Sequence, residues 1–181
     1  MAKDENKKSK GLDLQQTKGN FQIKGVVTGT QKESFYKETL TKNTQKPWRI
    51  LNFGLKTDKD SSVYITLSDG EKDKVYFSKT ETVDGKKKTD VQDVLWKDRF
   101  KFNKEGYRII GVNTGVSKVK DSKGNDVNDK KMLTGYDATK EISENLKDDQ
   151  SVFVRGSIDY SHYESNKETK RAVKFIPNQV S

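Results

Sequence analysis

Four short runs, "FQIKGVVTG", "WRILNFGLKTD", "GYRIIGVNTGV" and "SVFVRGSIDY", alternate apolar with polar residues, and each carries a glycine in mid-run at Gly25, Gly54, Gly111 or Gly156. Alternation with a period of two is the signature of a half-buried strand, and a mid-strand glycine marks a bend or bulge of the kind that lets a sheet coil. In the first run Phe21, Ile23 and Val27 share a phase; in the second Leu51, Phe53 and Leu55 share one face while Trp48, Ile50, Asn52 and Gly54 share the other. Pro47 stands before that strand, where a missing N–H does little harm. Many short, glycine-broken strands favour a small barrel over a layered α/β fold.

The segments between add turns and helices. "SSVYITLSDGEKDKVYFSKT" reads as a hairpin in which Val63, Ile65 and Leu67 are followed by Val75 and Phe77 around Ser68-Asp69-Gly70. "VDGKKKTD" is a second turn with a cation cluster. Val91, Val94, Leu95 and Phe102 recur at helical spacing, with Thr89 or Asp90 to cap and Gly106 beyond, which predicts a short helix over 90–101. "KDSKGNDVNDKK" has no period and reads as an exposed loop. "DATKEISENLKDD" is the strongest helix, with Asp137 as its N-cap and Ala138, Ile142 and Leu146 stacked at intervals of four. "RAVKFIPNQVS" ends the chain as a strand.

Composition decides how much of the chain a core can use. At 181 residues with 30% apolar and 35% charged residues, the chain supports one domain with long polar segments outside its core, against usual values of roughly 45–50% and 25%. Residues 1–19 hold too little apolar surface to offset their ordering entropy, so they read as a disordered, lysine-bearing tail ahead of a domain at 20–181. The formal charge of +9 points to a polyanionic partner. No run approaches the roughly 18 apolar residues of a membrane span, and no secretory signal is visible, which reads as a cytoplasmic protein without membrane contact.

Enzyme chemistry has little to stand on. His162 is the only histidine and there is no cysteine, so neither a thiol nucleophile nor a multi-histidine metal site can be built. Asp69, Glu71 and Asp73 alternate as in a calcium loop, yet the acid required at the twelfth position is missing and Lys72 and Lys74 oppose a cation. "GEKDK" lacks the spacing of a phosphate loop. The expectation is a binding protein with no metal or other cofactor.

A first strand "NFQIKGVVTG", a long hairpin "RILNFGLKTD...SSVYITLSD", a helix and a closing strand with Val152, Val154, Gly156 and Ile158 resemble the OB-fold single-stranded DNA-binding proteins of bacteria and their phages. The resemblance covers residues 20–165 and implies a mainly β fold: a single OB-like five-stranded barrel with one or two inserted helices and long loops. It departs from that family in its N-terminal tail, in a longer segment at 80–135 and in lacking an acidic C-terminal tail. By this resemblance the chain is a sequence-tolerant single-stranded DNA-binding protein of phage replication or recombination in the host-cell cytoplasm. Replication or recombination proteins are its implied partners, a homo-oligomer is its implied assembly, and RNA is an open variant.

Single strands are held by a basic groove and by rings on which bases stack, so rings out of phase with the core are the ones to find. Trp48, Tyr64 and Tyr76 are opposite in phase to Leu51 and Phe53, to Val63 and Ile65, and to Val75 and Phe77 respectively, and are placed on the second and third strands. Packing under the inserted helix is the alternative for each. Arg49, Lys56 and Lys74, with Lys46 and Lys72, lie near them. Arg155 is out of phase with its strand's core residues, which suits a phosphate contact, and Tyr160, His162 and Tyr163 extend the surface beyond it. Trp96 and Phe100 read as core. The competing function is a small-barrel protein-interaction module for a replication partner, with the charge serving solubility and steering.

Overall fold

The alternating runs form strands, and those broken by Gly25, Gly54 and Gly156 build most of the core; the run around Gly111 instead splits at that glycine into two short strands that belong to different sheets. The computed structural model describes residues 19–165 and 168–181. In chain order its strands are β1 (Gly19–Thr28), β2 (Tyr36–Leu40), β3 (Pro47–Asp58), β4 (Ser61–Gly70), β5 (Lys74–Val83) and β6 (Lys86–Leu95). A 3-10 turn at Trp96–Asp98 leads to the short strands β7 (Arg108–Ile109), β8 (Val112–Thr114), β9 (Lys118–Lys120), β10 (Asp126–Asn128) and β11 (Lys131–Leu133). Helix α1 (Gly135–Asn145) and the long strands β12 (Ser151–Ser165) and β13 (Glu168–Val180) complete the fold, which is mainly β with one α-helix among the described residues. The tail expected at 1–19 falls, apart from Gly19, outside the described residues.

The large sheet is organised around β3, which pairs antiparallel with β1, β2 and β4. β1 pairs antiparallel with β12, setting Ile23 opposite Val154, and β12 pairs with β13, with a register shift between Arg155 and Gly156. β13 then meets β4 in parallel at Phe175 and Ile65, so the path β1–β3–β4–β13–β12 returns to β1. β8 continues alongside β13, and β11 alongside β8. A second sheet has the order β6–β5–β7, and β9 and β10 form a separate hairpin.

Because strand side chains alternate, one face of each core strand is apolar and buried. Leu51, Phe53 and Leu55 of β3 meet Ile65 and Leu67 of β4, Phe21 and Val27 of β1, and Val152 and Val154 of β12. α1 closes this core with Ala138 and Ile142, and Leu146 follows at its end. Full burial of each such aliphatic side chain contributes on the order of 1.5–3 kcal/mol. The expected helix forms, but it starts two residues earlier and stops at Asn145, short of the end of the run that predicted it, and its cap is Thr134 and not Asp137. The Thr134 hydroxyl accepts from the Asp137 backbone N–H at 3.0 Å and donates to the Asp137 carboxylate at 2.8 Å. Asp137 therefore sits in the first turn, where a carboxylate opposes the positive end of the helix dipole.

Three expectations fail for the same reason, which is strand pairing. The segment expected as a helix over 90–101 is instead the strand β6, with only the short 3-10 turn after it. Asp84 and Gly85, with φ of 51° and 74°, turn β5 tightly into β6, and the ladder runs unbroken from Val83–Lys86 to Lys74–Leu95. That ladder satisfies the backbone that a helix would have satisfied internally, and Thr89, Val91 and Val94 are β-branched. Val91 and Leu95 are half exposed, so their spacing of four does not mark a buried helical stripe. Likewise β4 runs straight through Asp69 and Gly70 and pairs with β3; it forms no hairpin with β5, which belongs to the second sheet. The loop expected at 120–131 contains β10, which pairs with β9, and shares Lys120 with β9 and Lys131 with β11. No helix among the described residues is long and apolar enough to cross a membrane.

Candidate nucleic-acid interface

Residues paired across β3 and β4 share a face, which divides the two strands into inner and outer rows. The inner row pairs Leu51 with Leu67 and Phe53 with Ile65; the outer row pairs Trp48 with Gly70, Ile50 with Ser68, Asn52 with Thr66, Gly54 with Tyr64 and Lys56 with Ser62. Each outer ring therefore stands opposite a glycine. A Cβ placed on Gly70 would lie 2.5 Å from the Trp48 ring, and one on Gly54 would lie 3.8 Å from the Tyr64 ring and 2.5 Å from Thr28 Oγ1. A side chain at 70 would lift the indole off the backbone that supports it. Tyr64 is 71% exposed, whereas Trp48 is half-buried.

The positions of the two rings along β3 are six residues apart, roughly 20 Å at about 3.3 Å per residue. Between them the floor is polar and fixed. Thr66 Oγ1 donates to Asn52 Oδ1 at 3.0 Å, and Asn52 Nδ2 donates to the Ser34 carbonyl at 3.0 Å. Beside Tyr64 a cleft of about 110 Å³ is lined by Thr28, Gly29, Lys32, Ser34, Asn52 and Gly54, among others. Lys37 of β2 stands opposite Ile50 in the outer row, and Lys56 closes the row at the far end. Among the described residues Lys32, Lys37 and Lys56 have no carboxylate partner, so their charge is available to a ligand.

Lys32, Lys37, Asn52 and Thr66 were not singled out from the sequence. Asn52 and Thr66 had a signal in their strand phase, opposite to Leu51 and Phe53 and to Ile65 and Leu67, whereas Lys32 and Lys37 had none. Arg155 is exposed on β12 opposite Gln22, and Lys24 is exposed on β1, so the outer surface stays basic beyond β3. Tyr160 is exposed where β12 runs past the start of β1 and pairs with Val173 of β13. The side chain of Tyr163 lies outside the described part of the structure.

Three expected residues do not join this surface. Arg49 lies in the inner row, 13% exposed, donating to Glu38 at 2.9 Å and to the Tyr136 carbonyl at 3.2 Å with its guanidinium 3.7 Å from the Tyr136 ring centre. It fastens β3 to the start of α1. The Tyr36 hydroxyl also donates to Glu38; that bond, then Arg49, holds the Glu38 carboxyl below its ordinary range, while burial and the same bond push the Tyr36 hydroxyl up. Lys74 and Tyr76 stand on β5, in the other sheet, because β5 pairs with β6 and β7 and not with β4. Lys74 Nζ is 2.5 Å from Asp93, whose hydrogen bond raises the lysine and is itself reflected in a lowered Asp93. Lys46 and Lys72 are likewise compensated, by Asp73 at 2.5 Å and Asp69 at 3.1 Å.

The expected core pair Trp96 and Phe100 divides. Trp96 is half-buried with its ring 5.7 Å from that of Tyr136, but Phe100 is 69% exposed. Arg99 lies between them, 4.1 Å from the Trp96 ring and 4.2 Å from the Phe100 ring, and its two hydrogen bonds to Asp137, at 2.8 and 3.0 Å, hold it there.

The family model named YorF matches residues 81–181, more than half of the 181-residue chain. No curated protein matches, and no solved structure matches.

Proposed function

We propose that this chain, which belongs to the YorF family, is a non-enzymatic protein that binds single-stranded DNA without sequence preference through the outer row of β3 and β4. The observation that carries the reading is the pair of rings, Trp48 and Tyr64, each opposite a glycine at the two ends of a polar floor flanked by uncompensated lysines. Bases stack on such rings whatever their identity, each stack being worth roughly 1–3 kcal/mol, while the lysines track phosphates. Lys32 and Lys37 serve one side of the row and Lys56 its end.

The strand circuit supports an OB-type barrel, with β1, β3, β4, β12 and β13 as its five strands and α1 between the third and fourth. In that architecture the second and third strands carry the oligonucleotide, helped by the loop after the first strand and the hairpin joining the last two. Here these are the segment holding Lys32 and Lys37 and the β12–β13 arm bearing Tyr160, Lys170, Arg171 and Lys174. Service in phage replication or recombination, a place in the host cytoplasm and self-assembly follow from the family resemblance alone.

One observation favours a protein partner instead. On the outer face of the second sheet Tyr76, Val91, Leu95 and Ile110 are each about half exposed, forming an apolar surface. Tryptophan fluorescence during titration with a single strand, and with the same sequence as duplex, at low and moderate salt separates the readings. Saturable quenching that is much stronger for the single strand, and is lost in Trp48→Phe, is the expected result. Equal responses to both forms, abolished together by salt, would overturn it and leave the second sheet as the surface to pursue.

A further inference from the structure

Outside the β3–β4 surface, a cleft of about 230 Å³ opens between the inner face of the second sheet and the start of α1. Its apolar lining comes from Phe77, Ile109, Met132, Leu133 and the exposed Phe100. The volume equals roughly seven or eight waters at about 30 Å³ each and is below the roughly 300–1,000 Å³ of sites for drug-sized molecules. It suits one planar ring system.

The charges around it are unequal. Asp137, the one carboxylate in the lining, is neutralised by both hydrogen bonds of Arg99, and Arg99 is in turn fixed against the ring of Phe100. Arg108, which borders the cleft from the two-residue edge strand β7 where it pairs with Ser78, has no carboxylate partner among the described residues and is exposed. The cleft thus offers an apolar slot, a free aromatic face backed by a guanidinium, and one uncompensated cation. A base in a single strand always brings a phosphate with it, one sugar away, whereas an aromatic side chain of a peptide brings an anion only where an acidic residue adjoins it. We infer that the cleft takes one nucleotide unit of the bound single strand, its base against Phe100 and its phosphate on Arg108, which lengthens the track beyond the β3–β4 surface. This rests on the reading of that surface as a single-strand site.

The test compares oligothymidylates of about 6 and about 20 nucleotides, which fall within and beyond the roughly 4–16 nucleotides of one OB-type site. Phe100→Ala and Arg108→Gln alter exposed side chains, and thermal unfolding of each variant checks that the fold is kept. Both are expected to weaken the long strand, Phe100→Ala by roughly fivefold to a hundredfold, and to leave the short strand unchanged; Tyr64→Ala weakens both. If Tyr64→Ala weakens binding while neither cleft variant changes the long strand by more than about twofold, the inference fails and the β3–β4 reading stands. If the cleft variants weaken the long strand and Tyr64→Ala has no effect, the β3–β4 reading fails and the extended track falls with it, leaving the cleft as a strand-binding site by itself. As a direct readout, a long strand carrying 5-iodouracil is expected to photo-crosslink to Phe100 or Tyr107, mapped by mass spectrometry; crosslinks confined to β3 and β4 overturn the inference.

Discussion

Replacing Tyr64 by alanine tests the proposed surface most cleanly, because the ring is 71% exposed and its removal hardly touches the core. With under a third of the side chain covered, out of roughly 200 Å² for a tyrosine, the change uncovers about 60 Å² and costs about 1.5 kcal/mol of stability at most. A lost stack costs roughly 1–3 kcal/mol of binding, which corresponds to about a fivefold to a hundred-and-fifty-fold rise in Kd. Fluorescence anisotropy with a labelled single strand at fixed salt reads the affinity, and thermal unfolding reads the fold. Tyr64→Phe keeps the ring and should keep the affinity. The dependence on salt should also be unchanged in Tyr64→Ala, since no phosphate contact has been removed. An affinity within about twofold of the parent, in a variant that unfolds at nearly the same temperature, would refute the stacking argument.

Lys56→Ala should behave in the opposite way, making the plot of log affinity against log salt shallower by about 0.7 for a single strand, as titrations at several salt concentrations would show. Arg49→Met is expected to lower stability by about 1–2 kcal/mol in denaturant unfolding without changing that slope, since its guanidinium holds Glu38 and the Tyr136 carbonyl and meets no ligand. Thr134→Ala removes the cap of α1 and should cost about 1 kcal/mol, read from the same unfolding curves. In alkali, the raised Tyr36 hydroxyl keeps its proton in the folded chain after the unfolded chain has lost it near pH 10. Stability therefore falls as pH rises above about 10, and Tyr36→Phe should flatten that limb of the pH–stability profile, leaving the parts due to Tyr136, which burial raises, to Tyr107, which its hydrogen bond to Asp90 raises, and to Lys74, Lys79 and Lys131, which their carboxylate partners raise.

The residues that a period of two can sort were legible in the sequence. Leu51, Phe53 and Leu55 are buried and Tyr64 is exposed, as their phases required, and Ala138, Ile142 and Leu146 pack where the intervals of four put them. What one strand's phase cannot reveal is its partner. The glycine opposite each ring, Gly70 for Trp48 and Gly54 for Tyr64, exists only through the β3–β4 register. Tyr76 has the right phase on the wrong sheet, because a strand following Asp69-Gly70 looks the same whether it turns back or departs. Arg49 alternates toward the inside, a position that only the docking of α1 makes tolerable for a charge. The helix expected over 90–101 shows the limit of spacing itself, since Val91 and Leu95 fit a helical stripe and a strand's outer row equally well.

The ends of the two main sheets have a bearing on how copies of this chain behave together. The large sheet terminates at β2 and β11, and the second sheet at β6 and β7. All four strands carry a cation: Lys37 on β2, Lys131 on β11, Lys86, Lys87 and Lys88 on β6, and Arg108 on β7. An open strand edge is a template for another chain, and lysine on it is a common deterrent to aggregation. A second molecule trying to extend the second sheet, or the large sheet at β2, meets like charge, whereas Lys131 at β11 is held by Asp129 and Glu141. Part of the +9 therefore works against fibre growth, whatever partner the rest of it serves.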